Sequence, residues 1–465
     1  MDTQDNHSIP TLADCLKAAD ETQELLLKKD ALGDIPALLD KYFSSSSVCL
    51  VADENTYQAA GKKVREILDR GGINVLDTYI FPGEPRLHAE YSHVKTLVDR
   101  IAHIPGYKDN PPSLVPIAIG AGTLNDLVKR ASFELKLPYL CVPTAASVDG
   151  FTAFGAALLL DGVKQTLPCT APRVLAADTE VLAASPAYLS SSGFGDLASK
   201  IVAGTDWLIA EKAGTLGAPA AEPMDATAWN MIQPGLLDTL HRSIKAAQGD
   251  RDAVNTLFGA LAVTGFSMQY FKSSRPVSGS EHLFSHVWEM EDLSVKGVPV
   301  THGHKVAIGT LAASAFTEIF FASPEGPPPV PKGYKRPTPE ERKAEVNAAF
   351  QGSRAREGVV NKALEKLMDE KTARRVDAGF RDSWGEIREG VLKKLLPYGE
   401  LKALMEEAGC PVKPEAINLT RNDVIATARR AQMMRNKYCI MDLAWDMGVF
   451  EEVLSRLEAS AVYLR

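Results

Sequence analysis

SLVPIAIGAGTLNDLVKRASFEL (residues 113–135) is the stretch whose reading decides the fold. Its first part is a short apolar run with the character of a buried strand, its second part has a helical pattern, and a glycine turn joins them. Gly120 and Gly122 let the backbone approach a ligand closely, and amides at the start of the helix would face anionic phosphate oxygens. The pattern is G-x-G-x-x-N, not the dinucleotide fingerprint G-x-G-x-x-G, so a plain strand–helix turn explains it equally well.

The same alternation extends on both sides. SSVCLVADE (46–54) is a strand-like run leading into the helical pattern TYQAAGKKVREILDRGG, INVLDTYIF (73–81) is a second run, and a helical stretch covers about 88–104. LPYLCVP (137–143) follows as another buried strand, then GAALLLDGVKQTLP, two short runs around Asp161-Gly162 with the signature of a hairpin. Strands alternating with helices predict βαβ units and a parallel sheet. From about residue 179 strand signals give way to helical patterns at roughly 186–210, 228–248, 251–271, 280–292 and 302–321. The expected organisation is an α/β domain over 1–180, with a polar helical extension at about 10–40, and a helical domain over 181–465. Residues 324–339, PEGPPPVPKGYKRPTP, hold seven of the 28 prolines and should form an exposed, extended segment. Thr338-Pro339-Glu340-Glu341 has the form of a helix start.

Composition sets further bounds. The chain of 465 residues is 45% hydrophobic and 24% charged, within the globular range, and its net charge of -8 argues against a nucleic-acid binder. No apolar run reaches the ~18 residues a membrane span needs. The N-terminus, MDTQDNHSIP, has acids and no basic region, as expected of a cytoplasmic rather than a secreted protein. Cys15, Cys49, Cys141, Cys169, Cys410 and Cys439 are scattered with no CxxC pair, which suggests reduced thiols and argues against a cysteine zinc site.

Four further stretches have the residue types that chemistry needs. Asp53 closes the strand VCLVA; it suits a ribose diol and would repel a 2′-phosphate, although a helix cap is the commoner use of such an acid. In VPTAASVDGFTAFG (142–155), Thr144, Ser147, Asp149 and Thr152 follow a buried strand, where either a ligand loop or a polar turn fits. In SSSGFGDLASK (190–200), Asp196 lies early in a helical stretch, where an acid can also serve the helix end. Of nine histidines, His282, His286, His302 and His304 fall in one short stretch, with Glu281 and Glu289 nearby. His282 and His286 are four apart and share one helix face. Imidazoles with a carboxylate can bind zinc, nickel or iron, and the middle glutamate of a zincin protease is missing.

GAGTLND, PTAASVDGFT, GFGDLASK, SEHLFSHVWEM and HGHKV occur in this order. As a set they make residues 45–320 resemble the sn-glycerol-1-phosphate dehydrogenases. These are a branch of the metal-dependent, iron-containing alcohol dehydrogenase superfamily that also holds glycerol dehydrogenase. The resemblance implies a Rossmann-like nucleotide-binding α/β domain followed by an all-α metal-binding domain, a dehydroquinate synthase-like architecture with the active site between them. It implies a cytoplasmic oxidoreductase of phospholipid metabolism that interconverts dihydroxyacetone phosphate and sn-glycerol 1-phosphate. Its cofactors would be NAD or NADP, with NAD favoured by Asp53, and one divalent metal. Gly120, Ala121, Gly122, Thr123 and Leu124 would cradle the pyrophosphate, Thr144 to Ser147 would line the cofactor, and Asp53 would contact the adenosine ribose. Asp196, His282 and His302 match the metal ligands; Asp149 and His286 match groups that contact substrate, His286 also being suited to proton exchange. The family commonly has serine at Ala153 and glutamate at His304. For the substrate phosphate, Lys200, Lys164, Lys305 and Arg173 are candidates among which sequence does not choose. A dehydrogenase of a non-phosphorylated polyol, a sugar-phosphate cyclase of the dehydroquinate synthase kind and an enzyme-derived binding protein remain as alternatives. The partner implied is a small molecule, not nucleic acid or membrane, and the extra C-terminal helices offer an interface for a homo-oligomer.

Overall fold

The computed structural model describes residues 9–43, 47–109, 113–160 and 163–465, in two compact units: Met1–Leu197 with Ala226–Ser273, and Ala198–Asp225 with Ser274–Arg465. The first eight residues and the Asp161-Gly162 turn lie outside the described residues.

The first unit is built on a six-stranded parallel sheet. Its strands are β1 (Glu24–Lys28), β2 (Ser47–Asp53), β3 (Asn74–Phe81), β4 (Leu114–Gly120), β5 (Leu140–Pro143) and β8 (Val174–Asp178), in the order β1-β8-β5-β4-β2-β3. The inner strands are near-continuous apolar runs because helices cover both faces of a parallel sheet. Val48, Leu50, Ala52, Ile117, Ile119, Leu140, Val142, Val174 and Ala176 alternate along their strands and bury one face against Leu32, Ile35, Leu39, Val64 and Leu68. A hairpin of β6 (Gly155–Leu160) and β7 (Val163–Pro168) stands apart from the sheet.

The N-terminal segment departs from the helical expectation for 10–40. Helix Leu12–Ala18 is followed by β1, whose Glu24 pairs with Val174 of β8. ELLLK is too short for its period to be read, and pairing with a distant edge strand decides its conformation. Residues 226–273 also join this unit. Helix Arg251–Phe271 is tied to it by Gln269, whose Nε2 donates to Thr22 Oγ1 (2.8 Å) and to the Thr152 carbonyl (2.6 Å). The switch from strands to helices thus falls at Asp178, while the compact units interleave along the chain.

Sheet topology marks a place for a ligand. From β2 the chain moves outward to β3, then returns past β2 to β4 and on to β5. Open α/β sheets bind ligands outside the strand carboxyl ends at such a reversal. Asp53 ends β2, Gly120 ends β4, and Thr144 follows β5, so three expected ligand stretches leave three adjacent strands there.

The second unit is helical except for a two-residue ribbon, Ser294–Val295 against Val298–Pro299, which joins helices Ser280–Met290 and His302–Phe320. These two helices cross very closely. A Cβ on Gly309 would fall 2.4 Å from the Glu281 carbonyl oxygen, so glycine is required at the crossing. The segment from Pro324 is free of helix and strand up to Thr338, which caps helix Pro339–Ala349 in a reciprocal pair with Glu341, Pro339 taking the first helical position. All six cysteines are free and buried. Among the described residues no helix is long and apolar enough to cross a membrane.

Candidate functional site

In the first unit the candidate groups are mostly main chain. Helix Gly122–Glu134 starts directly after β4 with Ala121 at its N-cap, a residue with no side chain to cap it. Its first-turn N–H groups are thereby left to another partner, as in helix-end phosphate sites. The Thr144 N–H donates to the Gly120 carbonyl (3.1 Å), which holds the loop after β5 against this turn. A Cβ on Gly122 would fall 2.5 Å from Val148 Cγ1, so the loop closes this far only over glycine. Thr144 and Ser147 are buried in that loop. Asp53 is half-buried and caps the short turn after β2, accepting the Thr56 N–H at 2.8 Å. Farther along the loop, the Asp149 N–H donates to Asp196 Oδ2 (2.9 Å), and both carboxylates are buried.

In the second unit the candidate groups are side chains, each held by a carboxylate. His282 Nδ1 lies 2.7 Å from Glu281 Oε1, which also accepts the Gly279 N–H (2.7 Å). His302, the first residue of its helix, has Nδ1 2.7 Å from Glu289 Oε1. The other oxygen of Glu289 faces His286 Nδ1 at 3.4 Å, and Lys305 Nζ is 3.7 Å from Oε1. A carboxylate beside Nδ1 keeps the proton there and leaves the Nε2 lone pair of His282 and His302 for a metal. Burial, then the nearby Arg435 guanidinium, push His286 down to about 3. Across neutral pH it is therefore neutral, where its ordinary pKa would have suited proton exchange.

Asp196 is buried in the first unit, and in the second the His282 and His302 rings lie 5.4 Å apart. As a donor set, the Asp196 carboxylate and two imidazoles whose Nδ1 atoms are already engaged suit a divalent ion with open positions. N/O donors of this kind accept zinc, nickel or iron. The His304 N–H donates to the cap Thr301 Oγ1 (3.3 Å).

Several contributors are not evident in the motifs. Lys129, fully buried, donates from Nζ to the carbonyls of Gly150 (2.6 Å) and Gly155 (3.0 Å) and so fixes the loop carrying Asp149. Its one sequence signal is a lysine in a helix otherwise buried along that face. Asp206, also fully buried, accepts the N–H groups of Ser280 (2.6 Å) and Ile440 (2.8 Å), which fixes the start of the first histidine helix. Arg173, a candidate for phosphate, donates instead to the Tyr42 carbonyl (3.0 Å) and covers the Phe43 ring. The side chain of Lys164 lies outside the described residues.

The fold is that of the iron-containing alcohol dehydrogenase class. The model of that family, "Iron-containing alcohol dehydrogenase", matches residues 26–186. A probable glycerol dehydrogenase from Sinorhizobium meliloti has the same fold, with a TM-score of 0.57 at 13% identity over 94% of this chain and 98% of that one. The glycerol-1-phosphate dehydrogenase [NAD(P)+] of Bacillus velezensis is 35% identical over 286 residues, 62% of this chain and 69% of that protein. The one from Geobacillus stearothermophilus is 27% identical over 422 residues, 90% of this chain and 91% of its own length, so that likeness includes the C-terminal helices. The chain belongs to the glycerol-1-phosphate dehydrogenase family within the iron-containing alcohol dehydrogenases.

Proposed function

We propose that the protein is a metal-dependent, NAD(P)-linked oxidoreductase that interconverts dihydroxyacetone phosphate and sn-glycerol 1-phosphate. One observation carries the reading within its family: His282 and His302, which with Asp196 would hold the ion, each have Nδ1 already held by a glutamate. When bound, a divalent ion supplies a Lewis acid for the substrate oxygen and the nicotinamide supplies hydride.

The protein's own residues do the rest. The amides of Gly120 to Leu124 receive the pyrophosphate, with Thr144 and Ser147 lining the cofactor. Asp53 accepts from the ribose hydroxyls and opposes a 2′-phosphate, which favours NAD. Asp149 and the neutral His286 hydrogen-bond the substrate's hydroxyl and carbonyl groups and hold it in one orientation. A cytoplasmic location and a homo-oligomer formed through the C-terminal helices belong to the same reading.

The experiment is initial-rate NADH oxidation by metal-reconstituted protein, with dihydroxyacetone phosphate and dihydroxyacetone in parallel. A strong preference for the phosphorylated ketone is expected. Turnover of the unphosphorylated compound alone would move the protein to polyol dehydrogenases, and turnover without net NADH consumption would make it a cyclase.

A further inference from the structure

Helix Arg421–Met434 lies against the histidine helix Ser280–Met290. Trp288 Nε1 donates to Thr427 Oγ1 (3.0 Å), Arg430 pairs with Glu291 (2.5 Å), and Met433, Met434 and Met290 share one apolar cluster. The chain leaves that helix at Arg435 in an extended conformation. It is fixed again where the Tyr438 N–H donates to the Ala220 carbonyl (3.0 Å) and the Ile440 N–H to Asp206 Oδ1 (2.8 Å). The second oxygen of Asp206 accepts the Ser280 N–H, so Ile440 is tied to the first residue of the histidine helix. Residues 434–440 therefore run from the last turn of that helix to its first. That is a span of roughly 16 Å for 11 helical residues, within the reach of an extended segment of this length. Arg435 and Lys437 lie on this run, beside the helix that carries His282 and His286.

Among the described residues neither of these two charges is closed into an ion pair. Arg429 and Arg430, just before them, pair with Glu451 and Glu291. Among the described residues Arg435 has no hydrogen-bond or ion-pair partner, and Lys437 donates to a neutral hydroxyl, Ser274 Oγ, at 2.7 Å. Arg435 lies within electrostatic reach of His286 and Glu289. Burial, then Arg435 and Arg275, push Lys437 down to about 7. Partly buried cations set side by side are unfavourable unless something anionic joins them. The carboxylates within electrostatic reach are Glu289 for Arg435 and Glu222 and Glu281 for Lys437; of these, Glu289 also faces two histidines and Lys305, and Glu281 holds His282.

We propose that Arg435, with Lys437 beside it, binds the phosphate monoester of the substrate. A planar guanidinium takes two phosphate oxygens at once, and an ammonium adds charge without fixed geometry. The assignment rests on the reading of the protein as a dehydrogenase of a phosphorylated triose. It also gives the segment after Met434, far in sequence from every motif, a part in choosing the substrate.

The test compares wild type, Arg435→Ala, Arg435→Lys and Lys437→Ala as metal-reconstituted enzymes on dihydroxyacetone phosphate and dihydroxyacetone, with inhibition by inorganic phosphate as a second readout. Arg435→Ala should lower kcat/KM for the phosphorylated ketone about 100-fold, chiefly through KM, while the unphosphorylated ketone falls far less. Inhibition by phosphate should weaken with it, and Arg435→Lys should recover part of both. Equal losses on the two ketones with unchanged phosphate inhibition would overturn the assignment and leave the substrate reading standing. A wild type indifferent to the phosphate group would overturn both.

Discussion

The strand-end loops of the first unit and the histidine helices of the second prepare their chemistry in opposite ways. In the loops the working groups are amides and carbonyls, aimed by a glycine turn and closed by the Thr144–Gly120 hydrogen bond. In the helices they are imidazoles, each aimed by a carboxylate on its inner nitrogen. The first device depends on where a Cβ is absent, the second on which side chain is present. Substitutions should therefore fail differently in the two regions. The largest effect is expected from removing a ligand: His282→Ala should reduce bound metal from one per chain to near zero and abolish turnover. Metal analysis after desalting checks it, and a fully loaded variant would rule His282 out as a ligand.

The next effects sharpen the contrast. Glu289→Gln keeps the shape but loses the negative charge facing His302 and His286, so metal affinity should fall about 10- to 100-fold. A chelator titration measures this, and NADH binding should stay unchanged. Gly122→Ala should do the reverse. Its new methyl meets Val148, the loop is pushed off the turn, and NADH affinity should fall about tenfold while metal content holds. Fluorescence titration of NADH reads the change. If either substitution moved both readouts equally, the division between a main-chain site and a side-chain site would not stand.

The contrast also explains what was legible in the sequence. The parallel sheet followed from apolar runs alternating with helices, and the long helices Arg251–Phe271, Ser280–Met290 and His302–Phe320 from their period. The histidine candidates were visible because a rare residue type stood close together, whereas Asp196 entered the ligand set through the resemblance alone. β1 was hidden because five residues carry too little pattern, and only pairing with β8 makes them a strand. Glu289 was visible as a neighbour, but not as the one carboxylate shared by His286 and His302, since that depends on how two helices cross. Asp206, Arg435 and Lys437 gave no signal at all. Their importance arises from the tertiary fold, which brings residues around 206, 280 and 440 together.

Asp206 also reverses the contrast, since here a side chain in the helical unit organises main-chain amides. Burial, and then the Glu281 carboxylate, push it up to about 6 from an ordinary 3.8. The folded protein thus holds this proton more tightly than the unfolded chain does. The group's contribution to stability is greatest below about pH 4, declines as pH rises towards 6, and is level above that, a difference of up to about 3 kcal/mol. Asp206→Asn removes the titration but offers one carbonyl oxygen where two carboxylate oxygens served Ser280 and Ile440. Its effect on turnover should be the smallest of the four, because the histidines and their glutamates are untouched. Denaturant unfolding of both proteins between pH 4 and 7, with chelator present throughout, gives the wild-type stability minus that of the variant. That difference should decrease from pH 4 to 6, whereas a flat or rising difference would mean that Asp206 is ionised in the fold at its ordinary pKa and that its two amides outweigh its burial.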